Sequence, residues 1–147
     1  IEMARFEIGT VSEGTLRTED LLPAFADALQ GVTEWGAHNG LIAAARAISP
    51  ESEEAGLMVQ GLEYALSECC PPFVYFGSLA GDGADFGFWP DHDEIQEAQR
   101  FGTVYEADRE YIYSDDHGVW IHVNDHGNVT VLTDDDGKPG NEIWSAV

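Results

Sequence analysis

The stretch Pro71–Asp93, PPFVYFGSLAGDGADFGFWPDHD, is where the chain changes character. An apolar run, Phe73-Val74-Tyr75-Phe76, ends at Gly77, and its length and aromatic content predict a buried strand. Small residues from Ser78 to Ala84 predict a loop. A second aromatic run, Phe86 to Trp89, predicts a strand paired back on the first, closed by Pro90 and an acidic cluster. The stretch holds six of the sixteen aromatic residues. Before it, apolar residues recur at helical spacing; after it, they fall in short runs between tight turns.

Upstream, Thr18 followed by Glu19 and Asp20 has the form of a helix start. A hydroxyl caps there and carboxylates suit the positive end of the helix dipole. Leu21, Leu22, Phe25, Ala28 and Leu29 continue the pattern to Gly31, with Pro23 tolerable near the front. A second helix is expected over Glu34–Ile48, with Trp35, Leu41, Ile42, Ala45 and Ile48 on or near one face. Ser49-Pro50-Glu51 then restarts the chain as cap and first turn. The third helix runs to about Glu68, presenting Leu57, Met58, Leu62, Ala65, Leu66 and Cys69, until Pro71-Pro72 stops it. Ala4–Ile8 alternates weakly, as a short edge strand would, and Gly9–Gly14 reads as a turn.

Downstream, Pro90–Arg100 is ambiguous: Ile95 and Ala98 support one helical turn or two. Thr103–Ala107 and Glu110–Tyr113 read as strand pieces. Val119–Val123 is a strand, and Asn124-Asp125-His126-Gly127 is a turn rich in residues that accept positive φ. Asn128–Thr133 alternates polar and apolar, Asp134-Asp135-Asp136-Gly137 turns again, and Asn141–Val147 returns as the last strand. These pieces predict an antiparallel meander with one apolar face. Helices segregated ahead of strands predict an α+β fold. The expectation is one domain over 1–147, about three N-terminal helices (about 15–70) packed on a meander of four to six strands from the C-terminal half (about 71–147).

Charge is the outlier. Twenty-eight acidic residues face six basic ones, for a formal net charge of −22, while 44% hydrophobic content leaves enough for a core. Such a field repels nucleic acid and anionic membranes and attracts cations and basic protein surfaces. No apolar run reaches the length of a transmembrane helix, and no basic-then-apolar signal segment opens the sequence. Adjacent Cys69 and Cys70 rarely pair with each other, so reduced thiols and a cytoplasmic setting are expected.

Several clusters have metal-ligand chemistry: Asp91-His92-Asp93, Asp115-Asp116-His117, Asn124-Asp125-His126 and Asp134-Asp135-Asp136. Oxygen-rich groups suit calcium or magnesium, and histidine suits transition metals. None has a diagnostic spacing, and carboxylates in solvated turns are the ordinary form of a chain this acidic. The only cofactor the pattern would support is a divalent cation. Nucleophile-elbow, zinc-hydrolase and phosphate-loop motifs are absent from the sequence. A thiol enzyme is disfavoured, because a helix C-terminus raises a thiol pKa.

Two readings of the charge compete. In one, the carboxylates of Glu51, Glu53, Glu54, Glu63, Asp82, Asp85, Asp91, Asp93 and Glu94 form a surface that imitates DNA and binds a basic protein. In the other, the charge is adaptation to a salt-rich cell. A third expectation, from different chemistry, is a divalent-metal protein or metal-dependent hydrolase using Asp91, His92, Asp93, Asp125 and His126.

The segments PPFVYFGSLAGDGADFGFWPD (Pro71–Asp91), VNDHGNVTV (Val123–Val131) and TEDLLPAFADAL (Thr18–Leu29) resemble parts of small uncharacterised acidic proteins encoded by phages and prophages of high-GC bacteria. The resemblance carries no catalytic residue. It implies a non-enzymatic accessory protein in the host cytoplasm, with a basic host protein, such as a nucleic-acid-binding enzyme, as partner. It favours the interaction reading over salt adaptation.

Overall fold

The computed structural model describes residues 6–33, 36–107, 110–114 and 118–146, with the backbone alone at 107 and 110–112. They form four helices and eight strands, arranged as two antiparallel sheets of three and five strands. The α+β class follows directly. The chain groups into two compact units.

The first unit spans Gly9–Cys70 and Tyr75–Trp89. Its helices are α1 (Thr18–Val32), α2 (Asn39–Ala47) and α3 (Glu53–Glu68). They belong with a small sheet of order β1-β3-β2, from β1 (Gly9–Ser12), β2 (Val74–Leu79) and β3 (Asp82–Pro90). The sheet grouped with α1–α3 is therefore this one, not the C-terminal meander. The expected Ser78–Ala84 loop is mostly strand: only Ala80-Gly81 turns, with Gly81 at φ +90°. Glycine supplies that left-handed conformation without steric cost, so the strands extend up to it.

Helix α1 buries Leu21, Leu22, Phe25, Ala26 and Leu29, and contains Pro23. Proline inside a helix costs about 3 kcal/mol. Each large buried apolar side chain returns about 1.5–3 kcal/mol, so packing outweighs the break. Phe25 is the hub of this core. Its ring meets Phe76 at 5.2 Å and Phe86 at 5.4 Å, edge-on, and Phe76 meets Phe88 at 5.1 Å. Edge-to-face pairs bring a positive ring edge to a negative face.

Two helix starts and one turn differ from expectation. Helix α2 starts at Asn39, not at Glu34, because Gly36 (φ +73°) and His38 (φ +66°) take left-handed conformations that no helix continues through; Glu34 and Trp35 lie outside the described residues. Helix α3 starts after Ser52 rather than Ser49, because Ser52 folds back on the Ser49 carbonyl through both its amide and its hydroxyl. The residues Gly9–Ser12, read as a turn, pair with β3 as an antiparallel strand, while Phe6–Ile8 is irregular. The register shift between Thr10 and Ser12 marks a bulge, and Gly87 sits opposite Thr10. Glycine in a strand commonly marks such a close backbone approach.

The second unit spans residues 1–8, Pro71–Val74 and Pro90–Val147. It contains α4 (His92–Phe101) and the meander β4 (Thr103–Ala107), β5 (Glu110–Ser114), β6 (Val119–Val123), β7 (Val129–Asp135) and β8 (Lys138–Ala146), in chain order. The ambiguous Pro90–Arg100 stretch is a full ten-residue helix. Asp91 caps it, accepting from the Glu94 amide at 3.2 Å. The β7–β8 turn is Asp136-Gly137, both at positive φ, which matches the right-handed strand twist.

Ile121, Val131 and Trp144 lie opposite one another across β6, β7 and β8, and all three are fully buried. The Trp144 indole donates to the Pro72 carbonyl at 3.1 Å. The meander is not apolar on one face alone. Trp120, on the opposite face, is also buried, edge-on to Tyr105 at 5.8 Å and donating to Asp134 at 2.9 Å.

Candidate functional site

In the first unit, Glu51 lies in the turn before α3, and Glu53 and Glu54 occupy the first turn of the helix. All three are exposed. At that position carboxylates stabilise the helix dipole, so part of their presence is structural. Glu63, farther along α3, is half-buried, and burial pushes its carboxyl up from the usual range. Asp82 is exposed at the start of β3, where its carboxylate accepts from the Ala84 amide at 3.2 Å.

Asp85 does not belong to an exposed acidic surface. It is 8% exposed, and its carboxylate accepts from the Thr10 hydroxyl at 2.8 Å. The alternation of β3 decides this: Phe86 and Phe88 turn to the Phe25 cluster, and Asp85 lies on the opposite side, beside β1.

In the second unit, Asp91, Asp93 and Glu94 gather at the start of α4. Asp91 is half-buried and engaged as the cap, whereas His92 and Asp93 are exposed. Asp125 and His126 are exposed in the β6–β7 turn, which Asn124 closes by accepting from the His126 and Asn128 amides. Among the described residues, no three His, Cys, Asp or Glu side chains gather in a group able to hold a metal ion. Asp115, Asp116 and His117 lie outside the described residues.

Compensating cations are few. Arg46 pairs with Asp27 at 2.8 Å and also donates to Gln30, and Arg17 pairs with Glu19. Neither engages the carboxylates of α3.

Sequence reasoning missed two residues here. Leu57, expected in the core, is 67% exposed, and Tyr64 is 68% exposed. Helix α3 buries Ala55, Val59, Leu62, Ala65 and Leu66 instead. Apolar residues stand on both sides of this helix, so periodicity alone did not single out the inner side. The step of seven from Leu57 to Tyr64 was the available signal, since it places both on one face.

Comparison with known protein families, curated proteins and solved structures finds no match for this chain. Among the described residues, no helix is long and apolar enough to cross a membrane.

Proposed function

We propose that this protein is a non-catalytic binding protein whose carboxylate surface engages a basic partner protein in a host cytoplasm, as a phage-type accessory protein that occupies a nucleic-acid-binding enzyme in place of DNA. The observation that carries the reading is the charge: 28 acidic residues against six basic ones, with Glu51, Glu53, Glu54, Asp82 and Asp93 exposed. A field of this size raises the encounter rate with a cationic surface and discourages nucleic acid and anionic lipid. Of the nine carboxylates expected to make contact, Asp85 is withdrawn by burial and Asp91 is engaged in capping. The contact set is thus Glu51, Glu53, Glu54, Glu63 and Asp82 in the first unit, with Asp93 and Glu94 a separate set in the second.

The test is capture of a purified basic nucleic-acid enzyme from the host, at low and at raised salt, with duplex DNA as competitor. Retention at low salt, release by salt and displacement by DNA are the expected results. Charge reversal at Glu51, Glu53, Glu54, Asp82 and Asp93 should abolish retention. Undiminished capture by that variant would refute the reading.

A further inference from the structure

The outward side of α3 has a specific shape. Leu57, Gln60, Gly61 and Tyr64 stand at i, i+3, i+4 and i+7 of the helix, which is the set of four residues that surrounds a hole for one side chain of a facing helix. Leu57 and Tyr64 form its apolar ends, 67% and 68% exposed. They are separated by about 10 Å along the axis at 1.5 Å per residue. Gln60 is exposed as well. Gly61 is the floor. A Cβ there would meet nothing within 4 Å, so no internal packing demands a glycine, although glycine is among the poorest helix formers. Its absent side chain opens the hole outward.

The surroundings select the occupant. Glu53 extends the same face at one end and Glu68 at the other, and both are exposed. With a net charge of −22 per chain, a second copy would be repelled, as would a nucleic acid or an anionic membrane. A helix carrying lysine or arginine beside an apolar stripe is attracted by the rim and supplies a knob for the hole. We infer that the outer face of α3 docks one basic amphipathic helix of a partner protein, seating an apolar side chain between Leu57 and Tyr64 over Gly61. This rests on the proposed function and specifies where and how the basic partner is held.

The test uses two synthetic peptides about three heptads long, of identical leucine and lysine composition. One is arranged as an amphipathic helix and the other is scrambled. Binding to the whole chain is measured by fluorescence anisotropy at physiological salt. The amphipathic peptide should bind at least about tenfold more tightly than the scrambled one, and Leu57→Ala and Tyr64→Ala should each weaken it about tenfold, as for anchor residues. Gly61→Leu, which fills the hole, should do the same. Leu57 and Tyr64 are exposed and a Cβ at Gly61 meets open space, and circular dichroism checks that each variant folds. Equal binding of the two peptides, unaffected by the three substitutions, would overturn the docking hole while leaving carboxylate attraction in place. Failure of both peptides to bind would overturn both.

Discussion

Substitution of Gly87 by alanine tests the architecture of the first unit most directly. A Cβ at that position would lie 2.2 Å from the Gly9 carbonyl oxygen and 2.9 Å from both the Gly9 carbonyl carbon and the Thr10 Cα. All three are backbone atoms of β1, so no side chain can rotate away. The strand itself must retreat by about 1 Å to regain contact, and ladder hydrogen bonds near about 2.9 Å do not survive such a stretch. The Thr10 hydroxyl, 2.8 Å from the buried Asp85 carboxylate, moves with β1. Overpacking typically costs about 1–3 kcal/mol, and the weakened bond to a charged group adds about 1 kcal/mol or more. Gly87→Ala should therefore destabilise by about 2–4 kcal/mol. Gly83→Ala is the control, since a Cβ there meets nothing within 4 Å. Urea unfolding of the three proteins measures the difference, and hydrogen exchange at Thr10 locates it. A Gly87→Ala stability within about 0.5 kcal/mol of the parent, with Thr10 still protected, would refute the close approach of β1 and β3.

Two further outcomes follow from buried titratable groups. Burial raises the Glu63 pKa, so the folded state holds that proton more tightly than the unfolded chain does. The stabilisation is present at acid pH and is lost as pH rises from about 4.3 through the raised value. Glu63→Gln should then be at least as stable as the parent at pH 7, with no advantage below about pH 4; a less stable variant at pH 7 contradicts this. Burial also pushes the Cys70 thiol up to about 12, and burial followed by the Glu68 charge raises Cys69. Near neutral pH an aromatic disulfide reagent should label both cysteines far more slowly than in the urea-unfolded chain, Cys69 before Cys70. Equal rates in native and unfolded protein would show the thiols to be unshielded.

The C-terminal meander was legible because its turns announce themselves. Asn124–Gly127 and Asp136-Gly137 are residue types that accept positive φ, and Val119–Val123, just before the first of them, forms the strand over the expected bounds. Helix α4 was hard to see because its buried apolar residues are only Ile95 and Ala98, in a stretch that is polar up to the exposed Phe101 at its end. Its strongest cue was Asp91, which the acid-rich composition offered equally as a metal ligand or a contact residue. Only the hydrogen bond to the Glu94 amide shows that this carboxylate starts a helix. Asp82 and Asp85 illustrate the same limit: they stand three residues apart on one strand, one exposed and one buried, and a count of charges treats them alike.

Composition and spacing by themselves determined the α+β class, the helical first half, the meander and the sign and size of the electrostatic field. These depend on local periodicity, turn chemistry and net charge, all of which are additive along a chain. Tertiary structure decided which side of α3 is buried, that β1 closes a second sheet over Gly87, and that Asp85 lies inside while Leu57 and Tyr64 lie outside. Those outcomes depend on which distant element packs against a given face. A helix with apolar residues on two sides is consistent with either face inward until α1 takes one of them.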